Sequence, residues 1–506
     1  MNHLKALAEV ERELSLLSGI GALLHFDRAT IMPKAGLEER GEQLSFISKR
    51  VHELRISKEF QECIRTLSSQ KLSGITKDQV AKHERDLKKL INIPPSHVEE
   101  FSKLIILSGA AWEEARAKKD FSHFLPFLQK VTAMKIKEAK FIDPKKHPYN
   151  VLLDNFEEGM TIEELKPVFD ELKTGLIEII QRIKSSPSFQ NKPLILTLPA
   201  SEQVKITHDI KNRILPMKDR NLIATSVHPF TTRIGPDDVR ITTAYREGQP
   251  LFSFTSTCHE AGHALYELQL DKKLINTSLY DAPSMGIHES QSRIWENQIC
   301  KSNEFWQFYF PFLKKKNQSI DKVSFDDFFH SLNSVKESLI RIECDEVTYC
   351  LHIIIRFELE IALLEGTLKV KDLPAAWRKK YQEYLHVTPS DDAEGVLQDM
   401  HWSEGLFGYF PTYALGTMYS AMLFTAMKKS IPSLNKEIAK GNFVPIQEWL
   451  KDNVHKHGAR MFAKDIIKKA TGKEITPLDF LEYLKEKYYP LYGIVANFGD
   501  YSKVQK

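Results

Sequence analysis

The sequence predicts a mostly α-helical protein with one short β segment. Apolar residues near the N-terminus recur at three- and four-residue steps, the spacing of a helix with one apolar face. Between Asp238 and Arg246, β-branched residues alternate with other types, which is typical of a strand, and the Glu247–Pro250 sequence predicts a turn. Because helical patterning stands on both sides of this strand, we expect one helical body with a small sheet in its middle.

Charged helical stretches separated by short breaks continue through the first 190 residues. The breaks contain prolines at 33, at 94–95 and at 148, and a helix start is expected at Thr161, where Thr-Ile-Glu-Glu fits a capping box. Helical patterning resumes after the strand and continues to the C-terminus. The helical stretches of the first part are expected at about 41–53, 77–93 and 101–118.

Composition excludes several classes of protein. Lys and Arg number 70 and Asp and Glu 67 among 506 residues, a net charge of +3, which argues against a nucleic-acid or acidic-membrane partner. The most apolar stretch, 349–364, is interrupted by Arg356, Glu358 and Glu360, so it is unsuited to the ~20 residues of a membrane span. The sequence therefore predicts a soluble protein.

Cysteine usage favours a reducing compartment. The five cysteines form no CxxC pair, and an odd number does not suggest a disulfide framework. The N-terminus lacks the basic and apolar regions of a signal peptide. We therefore expect a cytoplasmic location.

The strongest chemical signal is a His-Glu-x-x-His motif at His259, Glu260 and His263. Positions four apart lie on one face of a helix, so both imidazoles can bind one Zn²⁺ ion. The metal would activate a water molecule and polarise a substrate carbonyl, with Glu260 as general base. Two alternatives remain open at this point: two histidines packed in a helix, or a capping box of Thr257 and Glu260 that would make Glu260 structural.

A catalytic zinc site needs a third protein ligand, and Glu289 is the best candidate. It follows His263 after 25 intervening residues, in a stretch from Ser284 to Trp295 that can form a second helix. Packing of the two helices would bring the carboxylate to the imidazoles. His288 is a rival ligand.

Several segments together resemble the carboxypeptidase Taq family of zinc metallocarboxypeptidases. One departure is Cys344, where the family usually has Ala; both residues are small. The segments, in the family's order, are Phe26-Asp27, His228-Pro-Phe230, Asp238-x-Arg240-x-Thr242, His259-Glu-x-x-His263, His288-Glu-Ser-Gln291, Ile340-Arg341-x-x-Cys344-Asp345, Gly395-x-x-Gln398-Asp399-x-His401-Trp402 and Phe407 to Gly416.

The resemblance implies a two-lobed helical body with a deep groove and a small β-sheet beside the active site, similar to neurolysin and angiotensin-converting enzyme. It implies broad removal of single residues from peptides with a free C-terminus, a homodimer, and Zn²⁺, with Co²⁺ as a possible substitute. The family's ligands correspond to His259, His263 and Glu289, and its base to Glu260.

Residues 1–506 would then form a single catalytic unit. Its parts are a helical N-terminal part (about 1–215), the strand segment with the zinc site (about 216–300) and a helical C-terminal part (about 301–506).

A carboxypeptidase must bind a free carboxylate, which arginine can do with two parallel hydrogen bonds. Arg341 is the first candidate, on a polar helical stretch; the alternative is an ordinary ion pair with Asp345 at i+4. Arg240 is the second. It shares a strand face with Asp238 and Thr242, and an edge strand there could also hold an extended peptide. The alternative for Arg240 is a cross-strand salt bridge.

The oxyanion of the reaction needs hydrogen-bond donors besides the metal. Candidates are His228, His401, Tyr409 and Tyr413, and the resemblance supports the two histidines as groove residues. We favour Tyr413 as the hydroxyl donor, although both tyrosines could simply pack in the core. Gln398 and Asp399 could orient ligands through hydrogen bonds.

Two other functions fit the same motif. A zinc oligopeptidase or dipeptidyl carboxypeptidase would use the same chemistry but cut at a different distance from the C-terminus. A non-catalytic helical scaffold would bind no metal in a fixed ratio. The candidate carboxylate anchor at Arg341 favours the enzyme that removes one residue.

Overall fold

Twenty α-helices and three short strands make up the parts of the chain that this computed structural model describes, residues 2–189, 198–249, 251–316 and 320–495. The mostly helical architecture with a small central sheet confirms the sequence-based prediction. The helices before the sheet are α1 (His3–Thr30), α2 (Leu37–Ile56), α3 (Lys58–Ser68), α4 (Gly74–Ile91), α5 (Pro95–Lys118), α6 (Leu125–Ile142), α7 (Pro148–Leu153), α8 (Ile162–Lys184) and α9 (Ala200–Ile214).

Local sequence signals account for several helix ends. The predicted capping box at the start of α8 is present: the Thr161 side chain accepts from the Glu164 backbone, and the Glu164 carboxylate accepts from the Thr161 N–H. Helix α5 begins at Pro95, where the missing N–H costs nothing because the first turn has no helical acceptor. The predicted turn at 247–250 is described up to residue 249.

The sheet has the strand order β1-β3-β2, where β1 is Asn221–Thr225, β2 is Thr231–Gly235 and β3 is Asp238–Thr243. Strand β3 pairs with β1 in parallel and with β2 in antiparallel fashion, so it is the central strand. The expectation of an edge strand at 238–242 that adds a peptide was wrong, because both sides of β3 are already hydrogen-bonded.

Two helices cover the two faces of the sheet, and the register decides which side chains meet each. Thr231 pairs with Ile241, and Thr231 contacts helix α10 (Phe252–Gln269), which carries the His-Glu-x-x-His motif. The neighbouring pair, Thr232 and Arg240, therefore faces the other way. There the Arg240 guanidinium lies 5.0 Å from the centroid of the Phe26 ring in α1.

Helices after the sheet carry most of the remaining candidate residues. None of the helices in the described parts is both long and apolar enough to cross a membrane. Helix α11 continues into a π-helical turn, Ile294–Ile299. These helices are α10 (Phe252–Gln269), α11 (Met285–Arg293), α12 (Asn303–Lys316), α13 (Phe325–Leu332), α14 (Tyr349–Glu365), α15 (Leu373–Leu385), α16 (Pro411–Ser430), α17 (Leu434–Ile438), α18 (Val444–Asn453), α19 (Ala463–Thr471) and α20 (Leu478–Leu491).

One large apolar cluster runs through the N-terminal, central and C-terminal parts of the chain. It includes Leu172 of α8, Val239 of β3, Leu265 of α10 and Leu415 of α16, all fully buried. A second, smaller cluster lies where α1, α3 and α4 pack together. The sheet and helices α10, α11 and α16 therefore stand on a continuous core that fixes their relative positions.

Candidate metal centre and substrate site

Three predicted ligands lie together at the crossing of α10 and α11. One ligand atom each from His259, His263 and Glu289 falls within 4.8 Å of the others. The Nε2 atoms of both imidazoles are 3.5 Å from Glu289 Oε2. The two motif histidines of α10 and a carboxylate of α11 thus converge on one point.

His288 does not join this cluster as a ligand. Its Nδ1 contacts Nδ1 of His263, and its Nε2 lies 3.0 Å from Glu267 Oε1. Both ring nitrogens are therefore directed at protein groups, and the alternative of His288 as a rival ligand was wrong.

Glycines allow the three helices to approach closely enough to form the cluster. A Cβ atom at Gly262, inside the His-Glu-Ala-Gly-His segment, would lie 2.5 Å from the Gln291 carbonyl oxygen of α11. A Cβ at Gly416 of α16 would lie 2.6 Å from Glu289 Cγ. Real Cβ atoms do not approach other heavy atoms this closely. The lack of a side chain at both glycines therefore allows α10 and α16 to pack directly against α11.

His259 is oriented by a carboxylate on the π-helical turn. Its Nδ1 lies 2.9 Å from Glu296 Oε2, which leaves Nε2 directed at the cluster. Lys301 and Arg293 also contact Glu296. Burial lowers the pKa of His259, but the carboxylates of Glu289 and Glu296 raise it by more.

Glu289 is held in its ionised form. Arg293 Nε donates to Oε1 at 2.7 Å, and Ser292 Oγ donates to Oε2 at 3.0 Å. Burial acts to raise the pKa of Glu289, but Arg293 and His259 outweigh it and hold the pKa well below its usual range. Burial also lowers the pKa of His263 to about 3. Both groups are thus in the protonation states that bind a metal.

Glu260 lies beside the cluster and is buried. Thr231 Oγ1 of β2 donates to Glu260 Oε2 at 2.7 Å. Burial raises the pKa of the Glu260 carboxyl. The alternative of a capping box with Thr257 was wrong, because α10 begins at Phe252 and Thr257 stands inside the helix.

Arg341 is buried, with a partner that the sequence did not reveal. It stands in a single 3₁₀ turn rather than a long polar helix. Its Nε and Nη2 atoms donate to Asp399 Oδ1 at 3.1 and 2.7 Å. Asp345 instead accepts the backbone N–H groups of Lys336, Val347 and Thr348. The suggested Arg341–Asp345 ion pair was therefore wrong.

A tyrosine links Arg341 to the metal cluster. Arg341 Nη1 donates to Tyr349 OH at 3.3 Å, and the Arg293 guanidinium lies 4.5 Å from the centroid of the Tyr349 ring. Arg293 in turn binds Glu289. Two side chains, those of Tyr349 and Arg293, thus stand between Arg341 and the candidate metal ligand Glu289.

Asp399 and Gln398 hold Arg341 in place through hydrogen bonds. Asp399 Oδ2 accepts from Arg356, which is fully buried, while Gln398 Oε1 accepts from the Arg341 backbone and from Arg356 Nη2. The two arginines hold the pKa of Asp399 well below its usual range against the effect of burial. Sequence analysis suggested that both residues orient ligands; in the described contacts they orient the two arginines instead.

The Tyr413 hydroxyl lies 3.5 Å from His401 Nε2, and its ring packs under Arg341. Tyr413 precedes Gly416 by one turn of α16, which places it near Glu289. Burial raises the pKa of Tyr413 well above its ordinary value, so the hydroxyl keeps its proton. Burial lowers the pKa of His401 to about 4, so the imidazole is neutral. The Tyr409 ring packs between Phe156 and this pair.

Arg240 and His228 lie elsewhere. Arg240 forms a two-bond ion pair with Asp238 on the sheet face away from α10. Both residues belong to β3, so this salt bridge lies within one strand and is not the cross-strand pair suggested as the alternative. His228 is exposed in the loop between β1 and β2, where its carbonyl accepts from Ser226. This loop leads into β2, whose first residue, Thr231, contacts Glu260.

The donor set fits a transition metal. Two imidazole nitrogens and one carboxylate oxygen, with Nδ1 of each ring engaged by the protein, are the ligands of the catalytic zinc sites that keep one position open. Together with the helical fold, this site defines a metallopeptidase of the His-Glu-x-x-His class.

The chain belongs to the carboxypeptidase Taq (M32) family of metallopeptidases, whose sequence profile matches residues 6–488. It is a metallocarboxypeptidase, a peptide hydrolase. Carboxypeptidase 1 of Bacillus subtilis (strain 168) is 38% identical over 495 residues, which cover 96% of this chain and 98% of that protein. Thermostable carboxypeptidase 1 of Thermus thermophilus is 36% identical over 501 residues, with the same coverage.

Solved structures agree with this assignment. The M32 carboxypeptidase of Deinococcus radiodurans R1 superimposes with a TM-score of 0.94 at 34% identity and covers 98% of this chain and 100% of that one. The Pyrococcus furiosus carboxypeptidase in an apo-Mg form also gives a TM-score of 0.94 at 34% identity, with 96% and 99% covered. The recognition made from sequence segments is confirmed.

Proposed function

We propose that this enzyme is a zinc-dependent carboxypeptidase that removes single residues, with broad specificity, from peptides that have a free C-terminus. The convergence of His259, His263 and Glu289 beside the buried Glu260 carries the proposal. A zinc ion held by these three side chains would act as a Lewis acid towards the scissile carbonyl and would lower the pKa of a water molecule towards ~7. Cobalt would be able to take its place.

Glu260 is proposed as the general base. Its carboxylate would accept the proton of the attacking water and pass it to the leaving amine. Burial raises the pKa of Glu260 from its usual value, which is the direction that favours a general base. Thr231 engages one carboxylate oxygen, which fixes the orientation of the other.

Arg341 is proposed as the anchor for the substrate carboxylate. Within the described contacts it uses three of its five N–H groups, on Asp399 and Tyr349, so two are left for a ligand. Its link through Tyr349 and Arg293 to Glu289 supports a place near the scissile bond. Arg240 faces α1 on the other side of the sheet, so we propose it, with His228, for contacts farther along the peptide.

Tyr413 and His401 are proposed to stabilise the oxyanion. The Tyr413 hydroxyl keeps its proton and stands one helical turn from the close contact between Gly416 and Glu289. Its neighbour His401 is neutral and can orient that hydroxyl. A donor that is already oriented before the reaction lowers the cost of developing negative charge.

Other parts of the proposal come from the family resemblance. We propose a homodimer, a cytoplasmic location, no nucleic-acid or membrane partner, and a two-lobed body with a deep groove like those of neurolysin and angiotensin-converting enzyme. Sedimentation at several protein concentrations would test the dimer.

A single unblocked peptide tests the proposed reaction. Incubated with the zinc-loaded enzyme, it should give a ladder of products shortened by one residue at a time from the C-terminus, as read by mass spectrometry. The same peptide ending in an amide should be cut much more slowly. Release of dipeptides would instead indicate a dipeptidyl carboxypeptidase, cleavage of internal bonds in both peptides an oligopeptidase, and absence of turnover and bound metal a scaffold.

Arg341→Ala should weaken the recognition of free carboxylates. Because the Arg341 side chain is only 7% exposed, its ion pair with a substrate would be desolvated, and its loss should cost about 2–5 kcal/mol in kcat/KM, a factor of roughly 30 to 5,000. Asp399 keeps Arg356 as a partner, so the fold should tolerate the change.

The matched control for Arg341 is Arg240→Ala, which removes an arginine from the far face of the sheet. We expect a smaller effect on single-residue release from short peptides. If Arg341→Ala leaves kcat/KM on free-acid peptides unchanged while Arg240→Ala lowers it, the two roles must be exchanged.

A further inference from the structure

The two imidazoles of the metal cluster are supported in different ways. His259 Nδ1 meets the Glu296 carboxylate directly. His263 Nδ1 instead contacts Nδ1 of the His288 imidazole. The nearest carboxylate on this side is that of Glu267, whose Oε1 lies 3.0 Å from His288 Nε2. We propose that His288 is a positioning residue for the metal ligand His263, an inference that rests on the proposed metal site. Glu267, which is paired with Arg233, holds His288 in place.

The chain of contacts connects three elements of the fold. Arg233 stands on β2 and pairs with Glu267 Oε2; Glu267 lies one turn beyond His263 on α10; His288 lies on α11 beside Glu289. Glu267 is buried, and Arg233 keeps the pKa of its carboxyl low against the effect of burial. The Tyr266 ring packs 5.2 Å from the His288 ring centroid and limits its rotation.

The positions of the protons follow from the geometry. A metal at His263 Nε2 requires the ring proton on Nδ1, which must then donate to His288 Nδ1. The proton of the neutral His288 ring therefore sits on Nε2 and donates to Glu267. Each contact has one donor and one acceptor, so a single arrangement fixes both the tautomer and the orientation of His263.

Charge explains why an imidazole rather than a carboxylate stands next to His263. Glu260, Glu289 and Glu296 already bring three carboxylates to the cluster, and a fourth in contact would repel them. Because the neutral His288 ring lies between His263 and Glu267, the Glu267 carboxylate is one side chain farther from the cluster. The hydrogen bond to the ligand is kept without the additional repulsion.

Zinc affinity of the His288 variants tests this role. His288→Phe keeps the ring but has no nitrogen for His263, whereas His288→Asn keeps an acceptor oxygen near the position of Nδ1. We expect a zinc Kd raised about 10- to 100-fold for His288→Phe, measured by competition with a chromogenic chelator, and partial recovery for His288→Asn. Thermal melting of both metal-free variants reports on folding separately.

A buried histidine remote from the site serves as the control. His97 is buried between the rings of Phe101 and Phe141, so His97→Phe is the same exchange without a ligand neighbour. We expect an unchanged zinc Kd for it.

Equal zinc Kd values for His288→Phe and the unchanged protein, or no recovery for His288→Asn, would overturn the inference. If His288→Phe does not fold, the comparison of His288→Asn with Glu267→Gln, which keeps the shape but not the charge of Glu267, decides it: unchanged Kd values in both overturn the role. Failure of the unchanged protein to bind zinc would instead overturn the proposed metal site itself.

Discussion

Glu260→Gln is expected to lower turnover by about 10²- to 10⁴-fold while the enzyme keeps its metal. The amide has almost the same shape and can still accept the hydrogen bond from Thr231, so the fold and the three ligands should be undisturbed. It cannot, however, take a proton from water. The measurement is kcat on an unblocked peptide, together with metal content after dialysis.

Glu260→Asp is the matched control for this change. It keeps a carboxylate but draws it back by one methylene, so we expect activity between the unchanged enzyme and Glu260→Gln. A Glu260→Gln enzyme with full turnover would remove Glu260 from the mechanism, and one that lost both its metal and its activity would indicate a structural role at the cluster.

Glu289→Ala is expected to lose most of its metal. The change removes one of three ligands and also the carboxylate bound by Arg293 Nε. Because Arg293 keeps its contact with Glu296, the free energy of unfolding should fall by less than the about 3–5 kcal/mol of an unpaired buried charge. Equilibrium dialysis with metal analysis measures the first effect, and denaturant unfolding of the metal-free protein measures the second.

Two further variants separate the effects of Glu289. Glu289→Gln keeps the volume and a hydrogen-bond acceptor for Arg293, so it should fold better than Glu289→Ala but still bind metal weakly. Glu296→Gln changes a carboxylate that touches His259 but is no ligand, and its metal affinity should fall only about 10- to 100-fold. Full metal content in Glu289→Ala would contradict the assigned ligand set.

The pairing of the two histidines was predictable because it depends on helix periodicity. Residues four apart share a helix face whatever surrounds them, so His259 and His263 could be paired from sequence alone. Glu296 could have been found in the same way, since it follows Glu289 by seven residues and shares its helix face. The π-helical turn that carries Glu296 was not predicted, because no pattern in the sequence indicates it.

Contacts made between distant segments could not be predicted. Arg341 was assigned to Asp345 because both were expected on one helix, but the helix is broken there and the true partner stands 58 residues away. In the same way, Thr231 reaches Glu260 only because β2 packs against α10. The central position of β3 could not be predicted either, because the sequences of β1 and β2 lack a strong alternation of apolar and polar residues.

The close crossing at Gly262 limits where this metal-binding pattern can be transplanted. The pattern His-Glu-x-x-His leaves its two intervening positions unspecified. Here the second of them is where the backbone of the neighbouring helix passes, so a side chain there would push the third ligand out of reach. A successful graft must therefore copy the gap between the helices as well as the donor atoms.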